Sequence, residues 1–204
     1  MRIRSHLKVL IALITGFGVM GFIGSASADN DNDNGNRPSA REEIKELMSC
    51  YAYSFDTLAR ATDAVADTDF GSEANIYVSD LYKEALQRFR SCTTEDFVIE
   101  AYALNGDPRL VEGQIPAGPL AWVNLVNYFN RIGGTVNSQH LYGSFETTVD
   151  GKSGTLKAYA AITGYTASDD GGVVKGPGGT STYTSEVVYE RGKWLLKRTT
   201  FVEN

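Results

Sequence analysis

From Gln139 onward the chain is written almost wholly for β-structure, while the residues before it are written for helices, and that order limits the fold more than any other feature. Gln139 to Val149, Thr155 to Thr166, Thr182 to Glu190 and Lys193 to Val202 are rich in Thr, Tyr, Val and Phe, the residues that suit a pleated surface, and are predicted strands. Asp150-Gly151 and Arg191-Gly192 supply the left-handed backbone that tight hairpins need. Ser168 to Gly179 carries five glycines between two of the strands and is expected to form a long mobile loop.

Three helical segments precede the strands. Ser39 followed by Glu42 is a capping box. Beyond it Ile44, Leu47, Met48, Tyr51, Phe55, Leu58 and Ala59 recur at helical spacing, so one face of the helix is buried. After a polar break from Thr62 to Ser72, a second helix is expected from about Glu73 to Arg90, with Ile76, Leu81, Leu86 and Phe89 on its apolar side. Phe97-Val98-Ile99 begins a short strand, and Asn105-Gly106-Asp107-Pro108 is a turn. A third helix is predicted over Pro119 to Arg131, because proline fits a first helical turn and Gly133-Gly134 ends it. Helices followed by a meander of strands make an α+β fold in one domain, residues 39–204.

The first 28 residues read as an address. Arg2, Arg4 and Lys8 precede an apolar run from Val9 to Ile23, and Ala26-Ser27-Ala28 offers the small residues a signal peptidase inspects. Cleavage after Ala28 and a periplasmic or secreted location are expected. A membrane anchor is the alternative, but a spanning helix needs roughly 20 apolar residues. Residues 29–38 follow as an Asp/Asn-rich linker. Its acids do not spell a calcium loop, since Gly35 falls one place late and Ala40 stands where a bidentate acid is required. The formal charge of −6 becomes more negative once the three basic residues leave, so nucleic acid and anionic membrane surfaces are poor partners.

Cys50 and Cys92 are the only cysteines. In an exported chain the pair points to a disulfide, the alternative being two buried thiols. Of the two histidines, His6 lies in the leader, so His140 is alone in the remainder and no site needing two imidazoles can form. No metal and no cofactor are expected.

Several strings, in this order, resemble the SnoaL-like family of the nuclear transport factor 2-like (NTF2-like) superfamily. They are Tyr51-Ala52-Tyr53-Ser54-Phe55-Asp56 on the first helix, Thr94 to Ile99, Gln139-His140 opening a strand that ends at Val149-Asp150-Gly151, and Gly192-Lys193-Trp194-Leu195-Leu196. The resemblance spans Ser39 to Val202 and implies an NTF2-like cone, three helices packed on a curved antiparallel sheet around a pocket for a small apolar ligand. It also implies that His140, Asp56 and Tyr51 meet inside the cone, as in dehydratases of this type. Histidine exchanges protons near neutral pH, a carboxylate fixes its tautomer, and a phenol holds a substrate oxygen. A cofactor-independent dehydratase or isomerase is one reading; a non-catalytic binding protein on the same cone is the other. An open sheet face of this kind often pairs two copies, so a dimerisation or assembly module is the third reading, with a homodimer as its state. The family's arginine on the last strand lies five residues after the tryptophan, where this chain has Thr199. Arg198 is one short, so it binds substrate only if a bulge restores its register, and otherwise faces solvent.

Overall fold

The computed structural model describes residues 38–61, 80–111 and 113–204. The expected leader, nearly all of the linker, the polar break and the first turns expected for the second helix lie outside the described residues.

Helix α1, Ala40–Ala59, begins as its capping signal predicts, with Ser39 Oγ accepting from the Glu42 amide at 3.4 Å. Its apolar stripe is buried from Ile44 to Ala59. Helix α2, Asp80–Cys92, buries Tyr82, Ala85, Leu86 and Phe89 and runs straight into strand β1, Thr93–Tyr102. The Asn105 turn, with Gly106 at φ +84°, leads to a three-residue strand β2, Pro108–Leu110. Helix α3, Pro119–Ile132, starts at Gly118, whose amide donates to the Phe97 carbonyl at 2.8 Å. Only glycine fits there, because φ is +107° and a Cβ would lie 2.9 Å from the Glu95 carbonyl oxygen. Strands β3 (Thr135–Asp150), β4 (Ser153–Ala167), β5 (Val173–Glu190) and β6 (Lys193–Glu203) then meander antiparallel, as their hairpin turns require.

The six strands lie in the order β2-β1-β6-β5-β4-β3. The sheet is mixed, not purely antiparallel, because β1 runs parallel to β6. A parallel neighbour needs a long connection, and everything from β2 to β5 provides one. Tight turns fix only the pairing of consecutive strands, so they say nothing about the partner of β1.

The glycine-rich stretch departs from expectation. Only Ser168 to Gly172 is a turn, closed by Ser168 N–H to the Gly172 carbonyl at 2.9 Å. Val173 to Gly179 is the first part of β5, paired with β4 through Val173↔Ala167 and Ile162↔Gly179. Ladder bonds use the backbone, so missing side chains do not prevent them. At Gly176 and Gly178 a Cβ would lie 3.3 Å and 3.1 Å from carbonyl oxygens of β4, so here glycine marks close strand approach and not a mobile loop.

All three helices pack on one face of the sheet. Tyr51, Phe55, Phe89, Phe97, Trp122 and Leu196 are among the buried side chains of one continuous core. The disulfide joins Cys50 in mid-α1 to Cys92, the last residue of α2, across a Cα separation of 6.4 Å. It locks α2 to α1 just before the chain enters the sheet.

Candidate active site

Helix α1 lies against β3, and their facing residues build the site. Alternation along β3 turns Val136, Ser138, His140 and Tyr142 inward, while Leu141 is 59% exposed on the other face. Asp56 flanks the buried stripe of α1 one residue after Phe55. The two elements bring Asp56 and His140 together: Asp56 Oδ1 is 2.7 Å from His140 Nδ1. The same Oδ1 accepts from Ser138 Oγ at 2.9 Å, and Oδ2 accepts from the backbone N–H of His140 at 3.1 Å. The carboxylate is therefore held by three groups of one strand segment, and the imidazole has its direction fixed twice. A carboxylate against Nδ1 keeps the ring proton there and leaves Nε2 free to accept one. The His140 side chain is only 10% exposed and that of Asp56 25%.

The surroundings are aromatic. The His140 ring lies 5.9 Å from Phe55 and 6.3 Å from Tyr142, and Phe55 in turn meets Trp122 at 5.8 Å. Two polar tips in this region, Tyr142 Oη and Trp122 Nε1, are buried and form no well-aligned hydrogen bond among the described residues, with the Tyr183 phenol beside the first and the Tyr51 phenol beside the second. Burial, reinforced by the neighbouring phenols Tyr183 and Tyr51, holds the Tyr142 hydroxyl well above the usual range, so it stays protonated and able to donate.

The other expected site residues stand elsewhere. Tyr51 is a core residue, stacked on Phe55 at 4.4 Å and edge-on to Phe89, Tyr142 and Tyr183. Burial also raises its phenol well above the usual range. It touches Phe55 and Tyr142, the two rings that contact His140, and so supports the pair from behind. Arg198 is not brought to the site. A bulge does occur, at Lys197, since Val187 faces Leu196 and Glu186 faces Arg198. Leu196 points inward, and the extra residue makes Thr199 the next inward side chain, fully buried and 2.9 Å from Ser185 Oγ. Arg198 is left on the outer face, 2.7 Å from Glu100 of β1 and 3.9 Å from Glu186 of β5. Lying one short of the tryptophan-plus-five position, it is turned to the wrong side by the bulge itself.

A SnoaL-like domain profile matches residues 36–200. The chain belongs to the SnoaL-like domain family. Solved structures of similar fold include the Kfla4162 protein from Kribbella flavida, at 18% identity with a TM-score of 0.49, covering 81% of this chain and 91% of that one. A type 2 hexachlorocyclohexane dehydrochlorinase, LinA, aligns at 14% identity and a TM-score of 0.51 over 81% of this chain and 86% of its own. The type 3 LinA dehydrochlorinase from Novosphingobium barchaimii LL02 aligns at 15% identity and a TM-score of 0.50 over 81% and 87%. Among curated protein sequences none matches.

Within this SnoaL-like domain, reading the sequence found the pair and missed what surrounds it. Ser138 and Tyr142 lie two residues either side of His140 and share its face by the period of a strand, a signal that was present in the sequence. Trp122 comes from α3 and has no such link. Among the described residues no group of three or more His, Cys, Asp and Glu side chains is arranged to hold a metal.

Proposed function

We propose that this SnoaL-like protein is an exported, cofactor-independent lyase or isomerase acting on a small, largely apolar molecule that carries oxygen. The observation that supports this best is the 2.7 Å contact of Asp56 with His140 Nδ1, backed by Ser138 and the His140 amide. In this reading Nε2 removes a proton from a carbon next to a carbonyl, and the C–H electron pair moves into the enolate. Asp56 stabilises the imidazolium so formed. In a dehydration the enolate pair then forms the new C=C bond as the neighbouring C–O bond breaks, and the imidazolium returns its proton to the departing hydroxyl as water. In an isomerisation the proton returns to a different carbon. Tyr142, on the same inward row as His140, and the Trp122 indole are the donors suited to the developing oxyanion, with Tyr51 packed behind them. The fold shared with a dehydrochlorinase is compatible with proton removal coupled to loss of a leaving group, although a fold by itself assigns no reaction.

Native mass spectrometry of protein purified from its own source identifies a retained ligand, and that ligand and its hydroxylated relatives then serve as substrates. Asp56→Asn and His140→Ala are each expected to lower turnover by about 10²–10⁴-fold while leaving ligand affinity nearly unchanged. The double variant should be little worse than either single one, because the two residues act as a unit. Binding without turnover in the wild type would instead support a non-catalytic carrier.

Export in this proposal rests on the leader sequence and agrees with the Cys50–Cys92 disulfide, a bond that persists in oxidising compartments. N-terminal sequencing should find the mature chain beginning at Asp29. A membrane-bound product with Met1 intact would overturn the export reading.

A further inference from the structure

A cleft of about 250 Å³ opens where α1 and α3 both end, beside the first residues of β3 and the last of β4. Its walls include Leu58, Ala61, Val136 and Ala167, and Arg131 stands at its side. It shares no lining residue with the Asp56–His140 pair. Asn127 of α3 also lines it and is only 1% exposed, yet both ends of its carboxamide, Oδ1 and Nδ2, are buried without a hydrogen-bond partner among the described residues. One turn earlier on the same helix, Asn124 is equally buried, and the Tyr82 hydroxyl donates to its Oδ1. The fold thus satisfies one buried carboxamide of α3 and leaves the next one unpartnered among the described residues, in the wall of a cleft. Buried polar groups in native proteins are nearly always paired, so an unanswered pair of this kind calls for a partner beyond the described residues.

We propose that this cleft is a second ligand site, and that it takes a small neutral molecule with an amide or lactam edge, read by Asn127. A free carboxamide presents a donor beside an acceptor, and the complementary edge presents an acceptor beside a donor. An ionised carboxylate would set a lone pair against Oδ1. The carbonyl-rich ends of two helices also disfavour an anion there, and the Arg131 charge lies in the last turn of α3, where those carbonyls offset it. The apolar walls suit a hydrocarbon ring or chain behind the amide. The volume is below the roughly 300–1,000 Å³ of pockets for drug-sized ligands, which limits the guest to a small molecule.

The test uses the full chain and three probes with a six-membered ring: δ-valerolactam, its N-methyl derivative, which lacks the donor, and cyclohexanone, which has only an acceptor and adds no bulk. Two-dimensional NMR titration should show saturable shifts at the Asn127 side-chain amide and at the Ala61, Thr135 and Ala167 amides with the lactam, and binding at least about tenfold weaker with the other two. Asn127→Leu should abolish the lactam response and melt no lower than the wild type, since the carboxamide makes no hydrogen bond to any described residue. Ala167→Phe, on the exposed rim, should block the cleft with Asn127 intact. Equal responses to all three probes, no saturable shift at these residues, or lactam binding that survives either substitution would overturn the proposal. So would an Asn127→Leu variant that unfolds or melts well below the wild type, because that would make Asn127 a structural residue.

Discussion

Strand β3 turns Ser138, His140 and Tyr142 toward the helices, whereas β6 turns Leu196, Thr199 and Phe201 the same way. The β3 row faces α1 across a seam, and Ser138 and His140 on it are answered by one carboxylate from outside the sheet. The β6 row lies in mid-sheet between β1 and β5, and its buried hydroxyl is answered within the sheet by Ser185 of the next strand. The charged residue of β6 is turned out by a bulge, to neutralise Glu100 on the far face. Charge is thus kept where a helix can supply a partner, while the row held between strands keeps only a neutral hydroxyl pair. The two rows meet at Tyr183, whose ring lies 5.2 Å from Tyr142 and 5.5 Å from Phe201.

That junction should fail first, in alkali. Burial pushes the Tyr183 phenol up to about 12, well above its ordinary value near 10. The folded state therefore holds this proton more tightly than the unfolded chain does. Its contribution is complete below pH 10 and is lost as pH rises from about 10 to 12. Over that window it amounts to about 3 kcal/mol, and Tyr51 and Tyr142, both raised by burial, act in the same direction. Urea unfolding repeated at stepwise higher pH should show the decline, and Tyr183→Phe should flatten part of it. An unchanged slope in that variant would remove Tyr183 from the account.

Next in size is the seam. Asp56→Ala leaves the Ser138 hydroxyl, the His140 amide and its ring nitrogen without their acceptor, and should cost about 2–3 kcal/mol in urea unfolding. Thr199→Val keeps the volume but strands the Ser185 hydroxyl, for about 1–2 kcal/mol. The smallest effect is expected from Arg198→Ala, at or below about 1 kcal/mol, since the ion pair with Glu100 is partly solvated on the outer face. If Arg198→Ala proved costlier than Asp56→Ala, the contrast between the two rows would be wrong. In turnover the contrast should widen: Arg198→Ala leaves the rate within about twofold, while Asp56→Asn removes most of it.

Much of this molecule was legible in its residues. Ser39 and Glu42 predicted where α1 begins, Pro119 and Gly133 predicted the ends of α3, and the two Gly-bearing hairpin signals predicted the pairing of β3 with β4 and of β5 with β6. These signals are local: a cap, a stop or a turn acts within a few residues, so the sequence around it suffices. The disulfide joins residues 42 apart, but two cysteines allow only one pairing within the chain, so the sequence left open only whether the bond forms. The glycines from Gly171 to Gly179 misled because their meaning depends on what lies opposite: across from β4 they permit close pairing, and across from nothing they would make a loop.

What the sequence alone determined, then, is the class of the fold, the run of its elements and, through the family resemblance, the candidate pair of Asp56 and His140. Tertiary structure decided the rest, because each remaining question turned on a partner distant in the chain. It set β1 parallel against β6, took Tyr51 into the aromatic core, placed Ser138 and the His140 amide on the Asp56 carboxylate, and left Asn127 open beside a cleft. It also decided the fate of Arg198, since a single extra residue at Lys197 reverses every following side chain of β6, and a bulge of that kind is fixed by the neighbouring strand and not by the residues that form it.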